Sequence, residues 1–192
     1  MIIGITGGSG SGKTTLLEVI RDQGGLILDC DQIYHELLKT DKQLLADIEA
    51  RFPGTVEDGV LQRKKLGSIV FQDPEALKAL NRITHNSVHN AIVSRIDKNA
   101  PLVAIDAIGL FGGGLDQLCQ VTVAVTAPDE VRIRRLMARD GISEEYARSR
   151  IAAQRPQAEF SALCDHTLCN DGTREDFQKK CLAFLSQLGI IK

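Results

Sequence analysis

The chain has 192 residues, 43% of them hydrophobic and 25% charged, which is ordinary usage for a globular protein and enough for one α/β domain. Its formal net charge is −2 at pH 7, which excludes a protein that attracts nucleic acid or an anionic membrane through overall charge. Its apolar runs are too short for a signal peptide or a transmembrane helix, so we expect a cytoplasmic protein without a membrane or nucleic-acid partner.

The chain opens with an apolar run, a glycine-rich stretch and a helical pattern. Residues 1–6 read MIIGIT, residues 7–12 read GGSGSG, and Leu16, Leu17 and Ile20 follow at helical spacing. This order predicts a strand, a loop and an amphipathic helix. Residues 7–14 match G-x-x-x-x-G-K-[ST] at every fixed position, in the strand–loop–helix context that this phosphate-binding motif requires.

The motif predicts how a triphosphate is held. Glycines let successive backbone N–H groups turn inward toward phosphate oxygens, and the positive end of the following helix adds to the attraction. Lys13 can reach the β- and γ-oxygens, and the Thr14 hydroxyl can bind Mg²⁺. The residues expected to bind ATP in this loop are Gly8, Ser9, Gly10, Ser11, Gly12, Lys13, Thr14 and Thr15.

A second short strand, residues 26–28, ends at two acidic residues, before a helical pattern that begins near Ile33. Ligands bind at the carboxyl ends of strands in open parallel sheets. A kinase that acts on a hydroxyl needs a carboxylate that orients this group and takes its proton, and Asp31 is our candidate for that base. The alternative is that Asp31 only caps the helix. We assign Asp29 to support of the loop or of the metal's surroundings.

The middle of the chain, about residues 40–100, shows helical periods and no clear strand. Residues 52–54 and 58–59 mark turns, and residues 73–74 interrupt the helical pattern. We therefore predict a helical lobe inserted between two strands of the core.

Two apolar runs after this lobe predict buried strands. Residues 102–106, LVAID, end in Asp106, which resembles the position where a carboxylate holds a Mg²⁺-bound water; an ordinary acid at a strand end is the alternative. Residues 121–126, VTVAVT, are the most strand-like run of the chain. Residues 166–169 predict a last short strand, and residues 174–188 a last helix.

Between these last two strands lie predicted helices rich in arginine, which begin at Pro128 and Ser143. Arginine can clamp the oxygens over which phosphoryl transfer spreads charge, and we predict a mobile lid that closes over ATP. Arg139, at the turn between the helices, is the leading candidate. The alternative is a solvated charged face with acidic partners one turn away. The arginines concerned are Arg132, Arg134, Arg135, Arg139, Arg148, Arg150 and Arg155.

Five cysteines, an odd number without a C-x-x-C pair, are not the pattern of a disulfide framework or a zinc site. We expect free thiols in a reducing cytosol. The cysteines are Cys30, Cys119, Cys164, Cys169 and Cys181.

Strands that alternate with helices predict an α/β fold with a parallel sheet. We expect a P-loop NTPase-type sheet of five strands flanked by helices, with an inserted helical lobe for substrate and a helical lid. The single kinase domain spans residues 1–192, with a core of residues 1–39, 101–134 and 164–192, a lobe of about 40–100 and a lid of about 135–163.

Five segments together resemble the dephospho-coenzyme A kinase family from end to end. Residues 5–15, ITGGSGSGKTT, resemble its phosphate loop, and residues 28–38, LDCDQIYHELL, resemble its D-x-D segment with the base at position 31. Residues 61–85, LQRKKLGSIVFQDPEALKALNRITH, are the most specific match and resemble its coenzyme-A-binding lobe. Residues 135–154 resemble its lid, and residues 164–173 its last strand and adenine loop.

The resemblance implies transfer of the γ-phosphoryl group of ATP to the ribose 3′-hydroxyl of dephospho-coenzyme A, which gives coenzyme A and ADP. ATP is then the co-substrate, Mg²⁺ the cofactor and dephospho-coenzyme A the other partner, and we expect a monomer or a weak homo-oligomer. The implied catalytic residues are Asp31, Lys13 and Arg139. The implied substrate-binding residues are Asp31, Arg63 and His85, and Arg139 and Asn170 join the ATP-binding residues. Phe71, Arg150, Gln154 and Gly172 also match the family.

The chain departs from the family pattern at three places. Residues 108–112 read IGLFG where the family usually shows P-L-L-F-E, Asn86 stands in place of a proline, and Phe160 stands where the lid often has a basic residue. Two alternatives therefore stay open. One is a nucleoside or uridine-type P-loop kinase, although that family would not contain a segment like residues 61–85. The other is a degenerate nucleotide-binding module, which the substitutions at Gly109 and Gly112 suggest.

Overall fold

The computed structural model describes residues 1–97 and 99–191 of the chain. Their strands are β1 (Ile2–Thr6), β2 (Leu26–Asp29), β3 (Val56–Glu57), β4 (Val60–Leu61), β5 (Val103–Asp106), β6 (Val121–Thr126) and β7 (His166–Cys169). Their α-helices are α1 (Lys13–Asp22), α2 (Cys30–Thr40), α3 (Lys42–Arg51), α4 (Arg63–Val70), α5 (Pro74–Arg95), α6 (Asp129–Asp140), α7 (Glu144–Ala152), α8 (Gln157–Leu163) and α9 (Arg174–Gln187). They separate into two compact units, the first made of residues up to Leu28 and from Asp97 onward, and the second of Asp29–Ile96.

The predicted five-stranded parallel sheet is confirmed, with the strand order β2-β5-β1-β6-β7. β1 lies at its centre, where Ile3 pairs with Ala104 of β5 on one side and with Val121 of β6 on the other. Ile3 and Ile5 are fully buried, as expected for a strand that is covered on both faces. Since β1 is fixed on both sides, the loop that follows it starts from a rigid edge.

The helices α1 and α9 cover one part of this sheet. Leu16 and Ile20 of α1 join Phe177 and Leu185 of α9 in the same buried cluster as the strand residues. These side chains recur at three- and four-residue spacing, which places them on one face of each helix. Burial of this face fixes α1, and with it the helix end that follows the glycine-rich loop.

The arginine-rich region forms three helices in the first unit, α6, α7 and α8. α6 is continuous and ends at Gly141, whose φ of 64° suits glycine at a helix C-terminus. The predicted lid boundary at residue 135 therefore falls inside a helix. Ser143 caps α7 as predicted, because its hydroxyl accepts a hydrogen bond from the Tyr146 N–H at 3.2 Å.

The second unit is mainly helical, as predicted, and it also contains a β-hairpin, which the sequence pattern did not show. Val56 pairs with Leu61 and Glu57 pairs with Val60 in antiparallel strands of two residues each. Asp58 and Gly59, at the predicted turn, both have positive φ, 51° and 75°. Strands this short show too little alternation for the sequence pattern to reveal them.

The helix α2 begins at Cys30 rather than near Ile33, and it belongs to the second unit together with α3, α4 and α5. The compact unit therefore starts at Asp29, eleven residues before the predicted start of the lobe at about residue 40. Among the described residues, no helix is long and apolar enough to cross a membrane.

The thiols of Cys119, Cys164, Cys169 and Cys181 are free, and Cys30 is buried at the start of α2. Burial raises the pKa of the thiols of Cys119 and Cys181 to about 12 and that of Cys164 to about 11. These three thiols therefore stay protonated at neutral pH, and they act as small apolar side chains.

Candidate active site

The glycine-rich loop lies between β1 and α1 of the first unit and needs its glycines. Gly7, Gly10 and Gly12 have φ values of 144°, 77° and 100°, which side chains with a Cβ rarely adopt. A Cβ on Gly7 would also collide with the Val125 carbonyl oxygen, and one on Gly12 with the Asn170 amide nitrogen. The loop backbone is therefore left-handed at these glycines, and neighbouring atoms leave no room for a side chain there, as the motif predicts.

Lys13 and Thr14 open the helix α1 at the end of this loop. The Lys13 ammonium donates to the Gly7 carbonyl oxygen at 2.8 Å, which folds the side chain back over the loop. Thr14 is exposed in the first turn. This turn has no acidic residue and no side-chain cap, so the helix end offers its N–H groups and positive dipole to an anion.

Ser9 is held from the outside by two residues that follow the loop by more than 120 positions. The Arg132 Nε donates to the Ser9 carbonyl oxygen at 2.9 Å. The Gln154 Oε1 accepts the Ser9 N–H at 2.9 Å, and its Nε2 donates to the Ser9 hydroxyl at 2.7 Å. The N–H and hydroxyl of Ser9 are thus engaged with Gln154 in this structure, and the expected contact of Ser9 with ATP stays a prediction.

Arg135 and Asn170 hold the next two carbonyl groups of the loop. The Arg135 Nη1 donates to the Gly10 oxygen at 3.2 Å and the Ser11 oxygen at 3.3 Å, and its Nη2 donates to the Asn170 Oδ1 at 2.9 Å. The Asn170 amide nitrogen donates to the Ser11 oxygen at 3.0 Å. The Asn170 side chain is thus engaged with the loop backbone; its expected contact with ATP stays a prediction.

Two of these loop-holding residues are buried. Arg132 is 2% exposed and Asn170 3% exposed. Arg132 also donates to Asp129 at 3.0 Å and to Gln154 at 3.1 Å, so each nitrogen of its buried guanidinium has a hydrogen-bond partner. Burial, together with the neighbouring Arg134 charge, lowers the pKa of the Arg135 guanidinium. Sequence reasoning assigned Arg132 and Arg135 to the clamp on the phosphates, whereas the structure places them on the loop backbone.

Arg139 and Arg150, the other lid candidates, meet at one carboxylate. Asp140 accepts from the Arg139 Nε and the Arg150 Nη1, each at 2.6 Å. Hydrogen bonds from Arg139 and then from Arg150 hold the pKa of the Asp140 carboxyl well below its usual range. The two guanidinium groups are therefore already side by side at the turn between α6 and α7.

Arg148 and Arg155 fit the alternative of a charged surface with acidic partners, and Arg134 is exposed. Arg148 pairs with Glu144 one turn earlier, at 2.7 Å, and with Glu130 of α6, at 3.0 Å. Arg155 lies 3.8 Å from Glu159. Exposed pairs of this kind add little stability, so they mark a solvated face and not a phosphate clamp.

Asp106 lies at the carboxyl end of β5, and its backbone pairs with Ile5 of β1, just before the loop. The Asp106 position therefore lies next to the start of the motif, and Thr14 is the last residue of the motif. Residues 108–112, which differ from the family pattern, form turns. The Leu110 side chain within them is fully buried.

In the second unit, Asp29 and Asp31 have different environments. The Asp29 carboxylate caps α2 by accepting the Gln32 N–H at 2.9 Å, so the capping role considered for Asp31 belongs to Asp29. Asp31 is exposed in the first turn of α2. One turn further along the same face lies His35, whose Nδ1 is 3.4 Å from the Arg63 Nη2.

A cavity of about 180 Å³ adjoins this pair, and it is mainly apolar. Its lining includes Leu38, Leu66, Val70, Phe71 and Leu80. Phe71 is 82% exposed, which is unusual for so large an apolar side chain beside a cavity. Burial raises the pKa of the Tyr34 hydroxyl at the same cavity, and the nearby Arg63 charge opposes this shift. His85 lies half-buried on α5 and does not line the cavity.

Comparison with known proteins gives one consistent family. The family model of dephospho-CoA kinase matches residues 1–176. The dephospho-CoA kinase of Geobacillus kaustophilus is 35% identical over 193 residues, which cover 97% of this chain and 96% of that protein.

Two solved structures match over nearly the whole chain. The crystal structure of TT1252 from Thermus thermophilus is 37% identical, with a TM-score of 0.79, and the match covers 98% of this chain and 97% of that one. The dephospho-CoA kinase from Campylobacter jejuni is 25% identical, with a TM-score of 0.70, and the match covers 97% and 96% of the two chains.

Proposed function

Because the chain belongs to the dephospho-CoA kinase family, we propose that the residues described above carry out that family's reaction in the following way. The chain is an enzyme that transfers the γ-phosphoryl group of ATP to the ribose 3′-hydroxyl of dephospho-CoA, which gives CoA and ADP. The single observation that carries this function is the family match over residues 1–176, which includes the segment 61–85 that a uridine-type kinase would not supply.

The glycine-rich loop binds the phosphates of ATP. Backbone N–H groups of Gly10, Gly12, Lys13 and Thr14 and the positive end of α1 surround the β- and γ-oxygens, and Lys13 moves from the Gly7 carbonyl oxygen to these oxygens. Arg139 and Arg150 contribute positive charge from the lid, and Asp140 keeps their guanidinium groups aligned. The loop, Lys13 and the lid arginines therefore stabilise the negative charge that spreads over the transferred group.

Asp31 is the general base of this proposal. Its carboxylate accepts the proton of the 3′-hydroxyl while the hydroxyl oxygen bonds to the γ-phosphorus and the bond from this phosphorus to the β,γ-bridging oxygen breaks. The bond electrons leave with ADP. The structure supports this role because Asp29 already caps α2, which leaves the Asp31 carboxylate exposed and outside the capping interaction.

The residues at the loop fit the Mg²⁺ ion that ATP chemistry uses. Mg²⁺ prefers hard oxygen ligands and takes only one or two of them from the protein, the rest being phosphate and water oxygens. The exposed Thr14 hydroxyl would bind the ion directly, and the Asp106 carboxylate would hold one of its waters. When bound, the ion neutralises charge on the β- and γ-phosphate oxygens.

The second unit binds dephospho-CoA along one face of α2. Asp31 and His35 lie on this face four residues apart, about 6 Å along the helix axis, so both can contact one nucleotide. Arg63, beside His35, supplies the positive charge for the diphosphate. The cavity lined by Leu66 and the exposed Phe71 then receives the carbon-rich pantetheine arm. We also keep His85 as a contact of dephospho-CoA, and this assignment rests on the family resemblance alone.

The proposal also includes the setting of the enzyme. It acts in the cytoplasm, as a monomer or a weak homo-oligomer, with ATP and dephospho-CoA as its partners and without nucleic acid or membrane.

Product formation with three acceptor conditions tests the function. ADP release is measured with dephospho-CoA, with uridine and without acceptor, and the position of the new phosphate on the CoA product is read by ³¹P NMR. We expect ADP only with dephospho-CoA and a phosphate on the 3′-oxygen. Lys13→Ala should lower kcat/KM by roughly 100-fold or more, since it removes a cation from the reacting phosphates. ADP formed only with uridine, or ATP bound without turnover, would overturn the proposal.

A further inference from the structure

The loop between β1 and α1 is held from the outside by four side chains of the first unit, which we call the carbonyl clamp: Arg132, Arg135, Gln154 and Asn170. Arg132 binds the carbonyl oxygen of Ser9, and Arg135 binds those of Gly10 and Ser11. Asn170 adds a second bond to the Ser11 oxygen. Three successive carbonyl groups are thus fixed on the outer side of the loop.

The direction of a carbonyl group decides the direction of the next N–H group. In a planar trans peptide the C=O of one residue and the N–H of the following residue point in opposite directions. Carbonyl groups of Ser9 and Ser11 that point toward the clamp therefore direct the N–H groups of Gly10 and Gly12 to the opposite side. That side is the inside of the loop, where phosphate oxygens would bind.

Gln154 completes the arrangement at Ser9. Its Oε1 accepts a hydrogen bond from the Ser9 N–H, which comes just before the N–H groups that point into the loop. The same oxygen accepts a hydrogen bond from the Arg132 guanidinium. Gln154 follows α7, so this contact joins the end of the lid region to the loop. Arg132, 2% exposed and bonded to Ser9, Asp129 and Gln154, has no freedom to reach a nucleotide without breaking these bonds.

We propose that the carbonyl clamp is a set of positioning residues for ATP. It fixes the directions of the phosphate-binding N–H groups before ATP arrives, and it does so through backbone geometry and not by touching the phosphates. This inference rests on the proposed binding of ATP by the loop. It predicts that the geometry of the clamp matters for ATP affinity more than its positive charge does.

Two clamp variants and one matched control test the inference. Gln154→Ala removes the bonds to the N–H and hydroxyl of Ser9. Arg135→Lys keeps the charge but cannot bond Gly10, Ser11 and Asn170 together, because an ammonium group lacks the planar fork of a guanidinium. Gln157→Ala is the control. Gln157 also bonds one residue through both ends of its amide, Ala127 N–H at 2.9 Å and Ala127 O at 2.8 Å. It donates to Asp129 at 3.1 Å as well, but it has no hydrogen bond to the loop or to a clamp side chain.

The ATP dissociation constant is measured by calorimetry in the absence of acceptor, together with the thermal unfolding midpoint of each protein. We expect both clamp variants to bind ATP roughly tenfold more weakly, as for the loss of one or two hydrogen bonds, and Gln157→Ala to bind it within about twofold of wild type. Wild-type affinity in both clamp variants overturns the inference, and so does an equal loss in the control. Failure of the wild-type protein to bind ATP would instead refute the proposed function.

Discussion

Two acidic residues at the start of α2, Asp29 and Asp31, have different roles. Asp29 accepts the Gln32 N–H and caps the helix, whereas Asp31 is exposed in the first turn. The sequence alone left capping and catalysis open for Asp31, because the helix was expected to begin near Ile33. The structure places that beginning at Cys30, which assigns the cap to Asp29.

We expect Asp31→Asn to lower kcat by roughly 100-fold or more, the usual range for loss of a general base, with little change in the KM for ATP. Asn keeps the size of the side chain but does not take the proton of the 3′-hydroxyl. Steady-state kinetics with dephospho-CoA and ATP measure both constants.

Asp29→Asn is the matched control for this variant. It neutralises a carboxylate two residues away, yet Asn caps a helix about as well as Asp, so we expect kcat within about threefold of wild type. An unchanged kcat in Asp31→Asn, or an equal loss in both variants, would remove Asp31 from the role of base.

The residues of the loop itself could be predicted, whereas those that hold it could not. The motif at residues 7–14 is local, and each position has a chemical reason that a single sequence displays. Arg132 and Ser9 are 123 residues apart, and only the pairing of β1 with β6 brings their neighbourhoods together. The one signal for Gln154 and Asn170 was the family resemblance, which gave their positions but not their contacts.

At the scale of elements, helices were easier to predict than the hairpin of the second unit. The helix α5 spans 22 residues, and its Asp73–Pro74 start is a strong local signal, since the Asp73 carboxylate accepts from Glu75 and Ala76. The hairpin strands β3 and β4 have two residues each and are set by the turn between them. The Asp-Gly pair at that turn was visible in the sequence, but short flanking strands gave no alternating pattern to accompany it.

Asp41 joins two helices, and we expect its truncation to destabilise the second unit. Its carboxylate accepts from the Gln43 and Leu44 N–H groups at the start of α3, and its own N–H donates to Leu37 at the end of α2. Asp41→Ala should therefore lower the free energy of unfolding by about 1 kcal/mol, the usual cost of losing an N-cap. Urea denaturation followed by circular dichroism measures this change.

Asp41→Asn provides the comparison, because it keeps an oxygen that accepts the same N–H groups. The two variants should differ by most of the loss. If Asp41→Ala and Asp41→Asn unfold at the same urea concentration, the cap does not stabilise α3.

At the scale of the whole molecule, the sheet could be predicted and the exact extent of the second unit could not. Strand-sized apolar runs that alternate with helical patterns lead directly to a parallel sheet. The start of the second unit at Asp29 depends instead on how α2 packs with α5, which local pattern does not contain. An ion pair between Glu36 of α2 and Arg95 of α5, at 3.0 Å, belongs to this same packing.

Several carboxyl groups have a lowered pKa in the folded protein, so we expect the protein to lose stability in acid. Hydrogen bonds from the Thr122 hydroxyl and N–H lower the pKa of Asp165, and backbone hydrogen bonds from Gly54 and Val56 lower that of Glu49. Their ordinary values are 3.8 and 4.5. A group with a lowered pKa in the folded state stabilises the fold fully above its ordinary value, and this contribution is lost as pH falls below it.

We therefore expect these groups to leave the thermal unfolding midpoint unchanged between about pH 7 and about pH 5. The midpoint should then fall between about pH 5 and pH 2, as the groups become protonated. Scanning calorimetry over this range measures the trend. Asp165→Asn should make the fall shallower, because one of the titrating groups is then absent. A midpoint that does not change below pH 4 would show that the folded protein does not favour the ionised carboxylates.

The central position of β1 has a consequence for synthesis of the protein on the ribosome. β1 is the first strand to be translated, yet both of its neighbours, β5 and β6, follow about a hundred residues later. Contacts between distant residues form late because closing long loops costs chain entropy. The second unit, one continuous stretch, has all its partners before β5 is made. A nascent chain thus carries its nucleotide-binding motif for about a hundred residues of synthesis before the strands that fix its loop are translated, and this segment must avoid misfolding throughout that time.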